Sequence, residues 1–552
     1  MKRSSLSDLT GQTFDLLIIG GGATGASAAR DAALRGLAVA LLEKNDFGSG
    51  TSSRSTKLFH GGLRYLEKFE FGLVREACRE RELMLRLAPH LSHPRPFIYL
   101  LYQGYRMMFK WLPATLPMLD AGLSVYDLFS GNPRQRRHKM LKKKKLLEIE
   151  PHLNPDGLKG GGYYFDFLTD DARFTLETVK AACDAGALAA NYTAVTGLVS
   201  DNGRISGAEA VDLISGGEGV IRARQVINTT GPWTDEIRFM EPGVKDKMLS
   251  PTKGVHIVLR KQDFPLHHAV FLQSPRDGRT VWPIPALDSD LVYIGTTDTY
   301  YQESFDHVVA TPEDIDYLLE VANYTIPGCR VNYEHIVGTW AGLRPLVKPQ
   351  GTLAASAVSR EHEIFVSPHG LLNIAGGKLT TARVMGYQVV DKAIELLEEN
   401  FGMRGLPVTI TGRVPLSGGE AKGIEQAKQL APGVNLPDEV KERLLQHYGG
   451  NFTKIAQLAG ADPAASRRMG GHKLVAAEVR YAVGEEMAMT VTDFFTRRAS
   501  IFYWTEDGGL DVVEAVAGEM GQLLNWTPAQ QAAQVEAYRQ WVAANRFEAV
   551  KN

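Results

Sequence analysis

Cysteine is scarce: Cys78, Cys183 and Cys329 are the only three in 552 residues, too few and too scattered for a disulfide framework or a metal cage. A reducing, cytoplasmic setting and no bound metal are expected. Long apolar runs are missing as well. The longest charge-free stretches, such as 185–200, are broken by Asn, Tyr, Thr and Gly and fall short of the ~20 apolar residues that cross a bilayer. The opening residues, MKRSSLSDLTGQT, carry positive charge without the apolar core or small-residue cleavage site of a secretory signal, which predicts a short exposed tail. No sign of charge dominates: Lys+Arg 61 against Asp+Glu 63 leaves a net −2. No whole-protein field therefore attracts nucleic acid or anionic lipid, and any such contact needs a local patch. Internal repeats and low-complexity tracts are absent too. What is present is an ordinary globular composition, 44% hydrophobic and 22% charged, with a surplus of glycine at 55 residues. The length allows three or four domains.

Residues 14–19, FDLLII, form an apolar run of the kind found in a strand covered on both faces, and they lead into Gly20, Gly21, Gly22, Ala23, Thr24 and Gly25. Helical composition follows over 26–35, and 37–42 reads as a second strand ending at Glu43, twenty-three residues after Gly20. Strand, G-x-G-x-x-G, helix, strand and spaced acid make a complete βαβ dinucleotide fingerprint. Gly20 permits the tight turn, Gly22 lets the backbone approach a pyrophosphate, and Gly25 lets helix and strand pack closely. The helix N-terminus meets the phosphate charge, and Glu43 accepts from the adenosine ribose hydroxyls. Beyond Glu43 no further βα unit begins. Residues 48–57 form a small, hydroxyl-rich loop whose donors suit a long cofactor, FAD rather than NAD. Two later stretches, 225–228 before Gly231 and 371–375 before Gly376 and Gly377, read as strands running into glycine turns. Such stretches mark a chain that re-enters a dinucleotide domain, and the amides of the second would face the flavin end.

The segments IIGGGATGASAARDAALRG, TSSRSTKLFHGGLRYLE, EFGLVREACRERELMLRLAPH, DDARFTLETVKAA, NTTGPWTD, KGVHIVL, WPIP with IGTTDT, GLRPL and AGGKLTTAR are similar, in order, to those of FAD-dependent glycerol-3-phosphate dehydrogenases. They span most of residues 14 to 390, and HGGLRYLE is the most discriminating, because related flavin amine oxidases share the fingerprint but not this stretch. The resemblance implies an α/β plus α fold: a glutathione-reductase-like FAD-binding domain, an antiparallel-sheet substrate domain and a helical C-terminal domain. The expected boundaries are 14–90, 171–235 and 366–405 for the FAD domain and 91–170 for a membrane-facing or substrate region. The antiparallel substrate domain falls at 236–365 and the helical domain at 406–552.

Oxidising a secondary alcohol on a phosphorylated glycerol needs positive charge for the phosphate, a base for the hydroxyl proton and a flavin facing the C2 hydrogen. The resemblance implies Arg64 and Arg344 as phosphate clamps, with Tyr65 and Lys378 beside them; forked guanidinium donors match phosphate oxygens. An ion pair of Arg64 with Glu67 is the alternative for that residue. His256 lies in an apolar strand where alternation aims it away from Val255 and Ile257; it is either the base or a histidine satisfied within a sheet. His60 is the competing base or a flavin-loop contact. The implied cofactor residues are Gly20, Gly22, Gly25, Glu43, Thr51, Ser52, Ser53, Lys57, His60, Gly231, Gly377, Lys378, Leu379 and Thr380. Thr296, Thr297 and Asp298 either orient substrate or simply form a turn.

Residues 97–129 mix aromatic and aliphatic anchors with Arg106 and Lys110, and 134–145 hold eight Lys or Arg, which suits either an interface helix or a core helix followed by a solvated basic loop. Residues 406–418 read as a linker into some seven helices, one starting at Thr527, Pro528 and Gln530. No calcium loop is present. The expected activity is oxidation of sn-glycerol 3-phosphate to dihydroxyacetone phosphate. Electrons would pass to a membrane quinone from a peripheral homodimer on the inner face of the cytoplasmic membrane. The rivals are an oxidase that reduces oxygen to hydrogen peroxide, a flavoprotein that binds nucleic acid or a partner through its basic patch, and a flavoenzyme acting on amino or 2-hydroxy acids.

Overall fold

The computed structural model describes residues 1–107, 112–287, 289–348 and 361–546. The strand Thr13–Ile19 lies inside an eight-stranded sheet, parallel to Val39–Leu42 on one side and to Glu218–Asn228 on the other. Leu372–Gly376 joins in parallel next to Asn228, so three segments distant in sequence end at one sheet edge. Helices cover the sheet, which is why residues 14–19 are apolar without alternation. The helix Ala23–Leu34 packs on Asp171–Asp184 and Ala382–Phe401 through small residues; a Cβ on Gly386 would come within 2.6 Å of the Ser27 backbone.

A ten-stranded sheet forms the second layer. Thr252–Arg260 pairs antiparallel with Leu291–Gly295 and Ile336–Arg344, and the sheet continues through Thr280–Pro285 and Ala269–Gln273 to His93–Tyr102 and Leu158–Leu168. It departs from a purely antiparallel sheet at one junction, where Ala269–Gln273 runs parallel to His93–Tyr102.

Two expectations are corrected here. Residues 97–102 are not an interface helix but part of a core strand, each at most 1% exposed. Six consecutive apolar residues offer no polar face to water, and pairing on both edges satisfies their backbone. Residues 108–111, with Phe109, Lys110 and Trp111, lie outside the described residues. The amino terminus is likewise no loose tail: its ammonium donates to the Glu485 carbonyl at 3.0 Å, and Arg3 forks onto Asp212 at 2.9 Å from each of two nitrogens. Carboxylates elsewhere in the fold hold its cations.

Beyond residue 419 the described residues form six helices of ten or more residues: Ala421–Leu430, Asp438–Tyr448, Phe452–Ala461, Ala476–Glu486, Val513–Leu524 and Pro528–Asn545. Thr527 caps the last through a reciprocal bond with Gln530. These helices grip the layer of the eight-stranded sheet through buried charges. Asp46, three residues after Glu43 and fully buried, accepts from Arg497 and from Arg498, the latter at 2.9 Å through Nη2. Nearby, Glu486 accepts from Arg173 at 2.6 and 2.8 Å and from Lys180 at 3.0 Å. Burial alone would raise the Asp46 pKa, but the two guanidinium groups outweigh it and hold the pKa below the ordinary value. Asp46→Asn, which leaves Arg498 buried without a carboxylate and Arg497 with Asp493 alone, is expected to cost about 3 kcal/mol. A shift in the urea midpoint measures this, and an unchanged midpoint would show that the network carries no stability.

Candidate active site

A continuous cleft runs from Glu43, past the glycine turn, to the facing surface of the second sheet. Gly20 has φ +104, and a Cβ there would meet the Thr229 carbonyl carbon at 2.9 Å. Thr229 Oγ1 donates to the Gly20 carbonyl at 2.8 Å and so closes the turn against the neighbouring strand. A Cβ on Gly25 would overlap the Gly20 carbonyl oxygen and lie 2.6 Å from Thr229 Oγ1. Glu43 accepts from the Gly21 amide at 2.8 Å and the Asn45 amide at 2.9 Å, one to each carboxylate oxygen. Each oxygen keeps a second lone pair for ribose hydroxyls. Burial raises the Glu43 pKa.

Opposite the turn, Thr51 Oγ1 donates to the Leu343 carbonyl at 2.6 Å, pinning the hydroxyl-rich loop to the second sheet. The next residue, Arg344, bonds Asp298 Oδ1 at 3.1 Å and Thr296 Oγ1 at 3.0 Å. Gly254 leaves room for it, since a Cβ there would stand 2.5 Å from Arg344 Nη2. Arg279 donates to the Asp298 carbonyl at 2.9 Å, so Asp298 organises two cations. Near the left-handed backbone of Gly62 (φ +75), the Tyr65 ring meets two cations, Lys378 Nζ at 3.8 Å from its centroid and the Arg64 guanidinium at 5.5 Å.

His256 lines the same cleft. Its imidazole stacks on Trp340 with centroids 4.6 Å apart, and its Nε2 lies 3.1 Å from Thr56 Oγ1. Burial pushes its pKa well below the ordinary value, and the Arg344 and Lys57 cations push the same way. The imidazole is therefore neutral. His60 also lines the cleft, with its amide donating to Thr380 Oγ1 at 3.1 Å and its ring against Trp282.

Of the residues expected at the site, Gly20, Gly22, Glu43, Thr51, Ser52, His60, Arg64 and Tyr65 line this cleft, as do Gly231, His256, Arg344, Gly377, Lys378, Leu379 and Thr380. Gly25 lies beneath the turn. Ser53 and Lys57 are corrections: neither lines the cleft. Lys57 Nζ pairs with buried Asp171 at 2.6 Å and donates to the Ser53 carbonyl at 3.1 Å, because a carboxylate buried without a cation would be far costlier. Arg64 makes no ion pair with Glu67 among the described residues, although its charge does act on that carboxyl; burial raises Glu67 to about 7 against the pull of Arg64. Sequence reasoning missed Thr56 and Trp340, whose roles depend on packing across sheets. For Asp298 it left open a turn, and its grip on Arg344 only the fold reveals.

The model of the family described as "FAD dependent oxidoreductase" matches residues 15–389, and that described as "C-terminal domain of alpha-glycerophosphate oxidase" matches residues 409–531. An aerobic glycerol-3-phosphate dehydrogenase of Staphylococcus aureus is 38% identical over 543 residues, 97% of this chain and 94% of that protein. This chain belongs to the FAD-dependent glycerol-3-phosphate dehydrogenase family. The glycerol-3-phosphate dehydrogenase of Bacillus halodurans, solved in complex with FAD, superposes on this family member with a TM-score of 0.81 at 33% identity, covering 98% of this chain and 96% of that one. The L-α-glycerophosphate oxidase of Mycoplasma pneumoniae, at TM-score 0.53 and 18% identity over 73% of this chain and 99% of that one, shares the fold.

FAD is the cofactor of this dehydrogenase-family chain, and its residues fit that group. The turn glycines leave the space a pyrophosphate needs, and Glu43 keeps acceptors for a ribose. The cleft is long enough to reach from there to Lys378. Gly25→Ala, by driving a methyl group into the turn, is expected to give protein that purifies without flavin absorbance; a normally yellow variant would count against this geometry.

Proposed function

We propose that the chain oxidises sn-glycerol 3-phosphate to dihydroxyacetone phosphate and hands the electrons to a membrane quinone. The observation that carries this reading is the shared cleft: Arg64, Arg344, Lys378 and neutral His256 all line the space that begins at the dinucleotide turn. FAD, when bound, supplies the hydride acceptor. Arg64, Arg344 and Lys378 hold the phosphate, with Tyr65 keeping Arg64 and Lys378 at one place. Asp298 and Thr296 fix the Arg344 fork before substrate arrives. His256 takes the C2 hydroxyl proton. Its low basicity in the free site comes partly from Arg344, so a phosphate dianion seated on Arg344 offsets that charge and makes His256 a better base when substrate is present.

Glycerol 3-phosphate added without oxygen is expected to bleach the flavin, whereas amino acids and 2-hydroxy acids leave it yellow. Bleaching by those compounds alone would overturn the reading. Reoxidation by a soluble quinone should outrun reoxidation by oxygen in stopped flow; the reverse order would make the chain an oxidase. Docking on lipid fits Leu112, 48% exposed, and Leu128, 77% exposed, in the stretch that leads to the lysines of 139–145. Sedimentation with anionic vesicles tests it.

Charge-assisted bonds contribute ~1.5 to 3 kcal/mol each, so Arg344→Ala should weaken apparent affinity roughly 10- to 150-fold with flavin retained. An unchanged KM would remove Arg344 from the clamp. Because His256 acts unprotonated and its pKa lies below 6.5, kcat/KM should stay level as pH falls to that value and decline only below it. A decline centred above 6.5 would assign the base elsewhere.

A further inference from the structure

A second cavity of about 380 Å³ opens where three parts of the chain meet. Asn45 and Ser49 come from the loop after Glu43, Gly342 and Leu343 from the second sheet, and Thr492, Gln534 and Trp541 from the helical domain. The charges in its wall pair off with one exception. Arg497 is held by Asp46 and Asp493, and Asp306 by Lys44. Arg54 has neither a carboxylate nor a hydrogen-bond acceptor among the described residues; its guanidinium lies over the Trp541 ring, 5.2 Å from the centroid. Arg54 is half-buried and shares its place in the wall with the cleft described above; its N–H donors face the cavity without an acceptor, and an anion there would satisfy them.

Other donors face the same space. The Val491 amide donates to Gln534 Oε1 at 3.3 Å, which leaves the Gln534 NH2 as the end without a partner among the described residues. The Ser49 hydroxyl and the Asn45 side-chain amide have no hydrogen bond there either. Donors arriving from the FAD loop and the helical domain suit a tetrahedral oxyanion, whose oxygens diverge, better than a planar carboxylate. We propose that this cavity binds a phosphate group, gripped by Arg54 and Gln534, as a site separate from the Arg64 and Arg344 clamp. Bound there, it would tie the loop carrying Ser49 and Arg54 to the helix carrying Gln534 and Trp541.

The test is calorimetric titration of the holoenzyme with inorganic phosphate, with glucose 6-phosphate in parallel to tell free phosphate from a phosphomonoester. Wild type and variants are compared at equal flavin content. Arg54→Gln is expected to lose one binding event, with at least a tenfold weaker association, and Gln534→Leu to weaken the same event. An Arg64→Gln variant should retain it, which keeps this site distinguishable from the substrate clamp. Phosphate should also raise the thermal midpoint of wild type more than that of Arg54→Gln. Superimposable isotherms for wild type and Arg54→Gln, or a single event abolished by Arg64→Gln, would overturn the proposal.

Discussion

The pairing of Asp46 with Arg497 and Arg498 is the constraint on which the rest of the molecule turns. Asp46 sits three residues past Glu43, in a loop whose Gly48 amide returns to the Gly21 carbonyl at 3.0 Å, so the carboxylate is rigidly joined to the dinucleotide turn. Consecutive arginines can both reach it because 494–498 form a wider π-helical turn, a local departure that changes where successive side chains point. A buried ion pair adds little net stability over well-packed apolar residues. Removing one partner, however, strands a charge, so the network chiefly fixes one register between the domains. The helical domain is thereby part of the cofactor site's frame.

That frame brings together two half-sites that neither sheet could make alone. The first sheet contributes the glycine turn and Glu43; the second contributes His256 and Arg344. The Thr51 bond to the Leu343 carbonyl joins them one residue before Arg344. Tyr503 extends the junction from the helical domain: its hydroxyl reaches the Ser53 carbonyl at 3.1 Å, while its ring packs edge-on against Trp340, which stacks on His256. The electrostatics follow from the same assembly. His256 is kept neutral because it is buried and shares its surroundings with Arg344 and Lys57, paired with Asp298 and Asp171 respectively.

Much of this was legible in the linear chain. The βαβ fingerprint, with Glu43 at its spacing, and the two returning strands announce a dinucleotide fold, and Gly20, Gly25 and Gly376 stand where neighbouring backbone leaves no room for a Cβ. Residues 97–102 misled because an apolar run beside cations reads alike for a membrane face and for a central strand; only the pairing with Leu158–Leu168 decides between them. Lys57 misled for a different reason. A lysine in a hydroxyl-rich loop looks like a phosphate contact until the fold places Asp171, 114 residues away in sequence, against its ammonium.

Local chemistry, then, was written into the sequence: which turns call for glycine, which strands are covered on both faces, and where an acid stands at the spacing of a ribose acceptor. These depend on neighbours a few residues apart, and periodicity and spacing preserve that information. Tertiary structure alone decided which cations are already neutralised by a carboxylate and which face open space, and how basic His256 can be. Those properties depend on burial and on charges brought close from distant segments, and no local pattern records such distances.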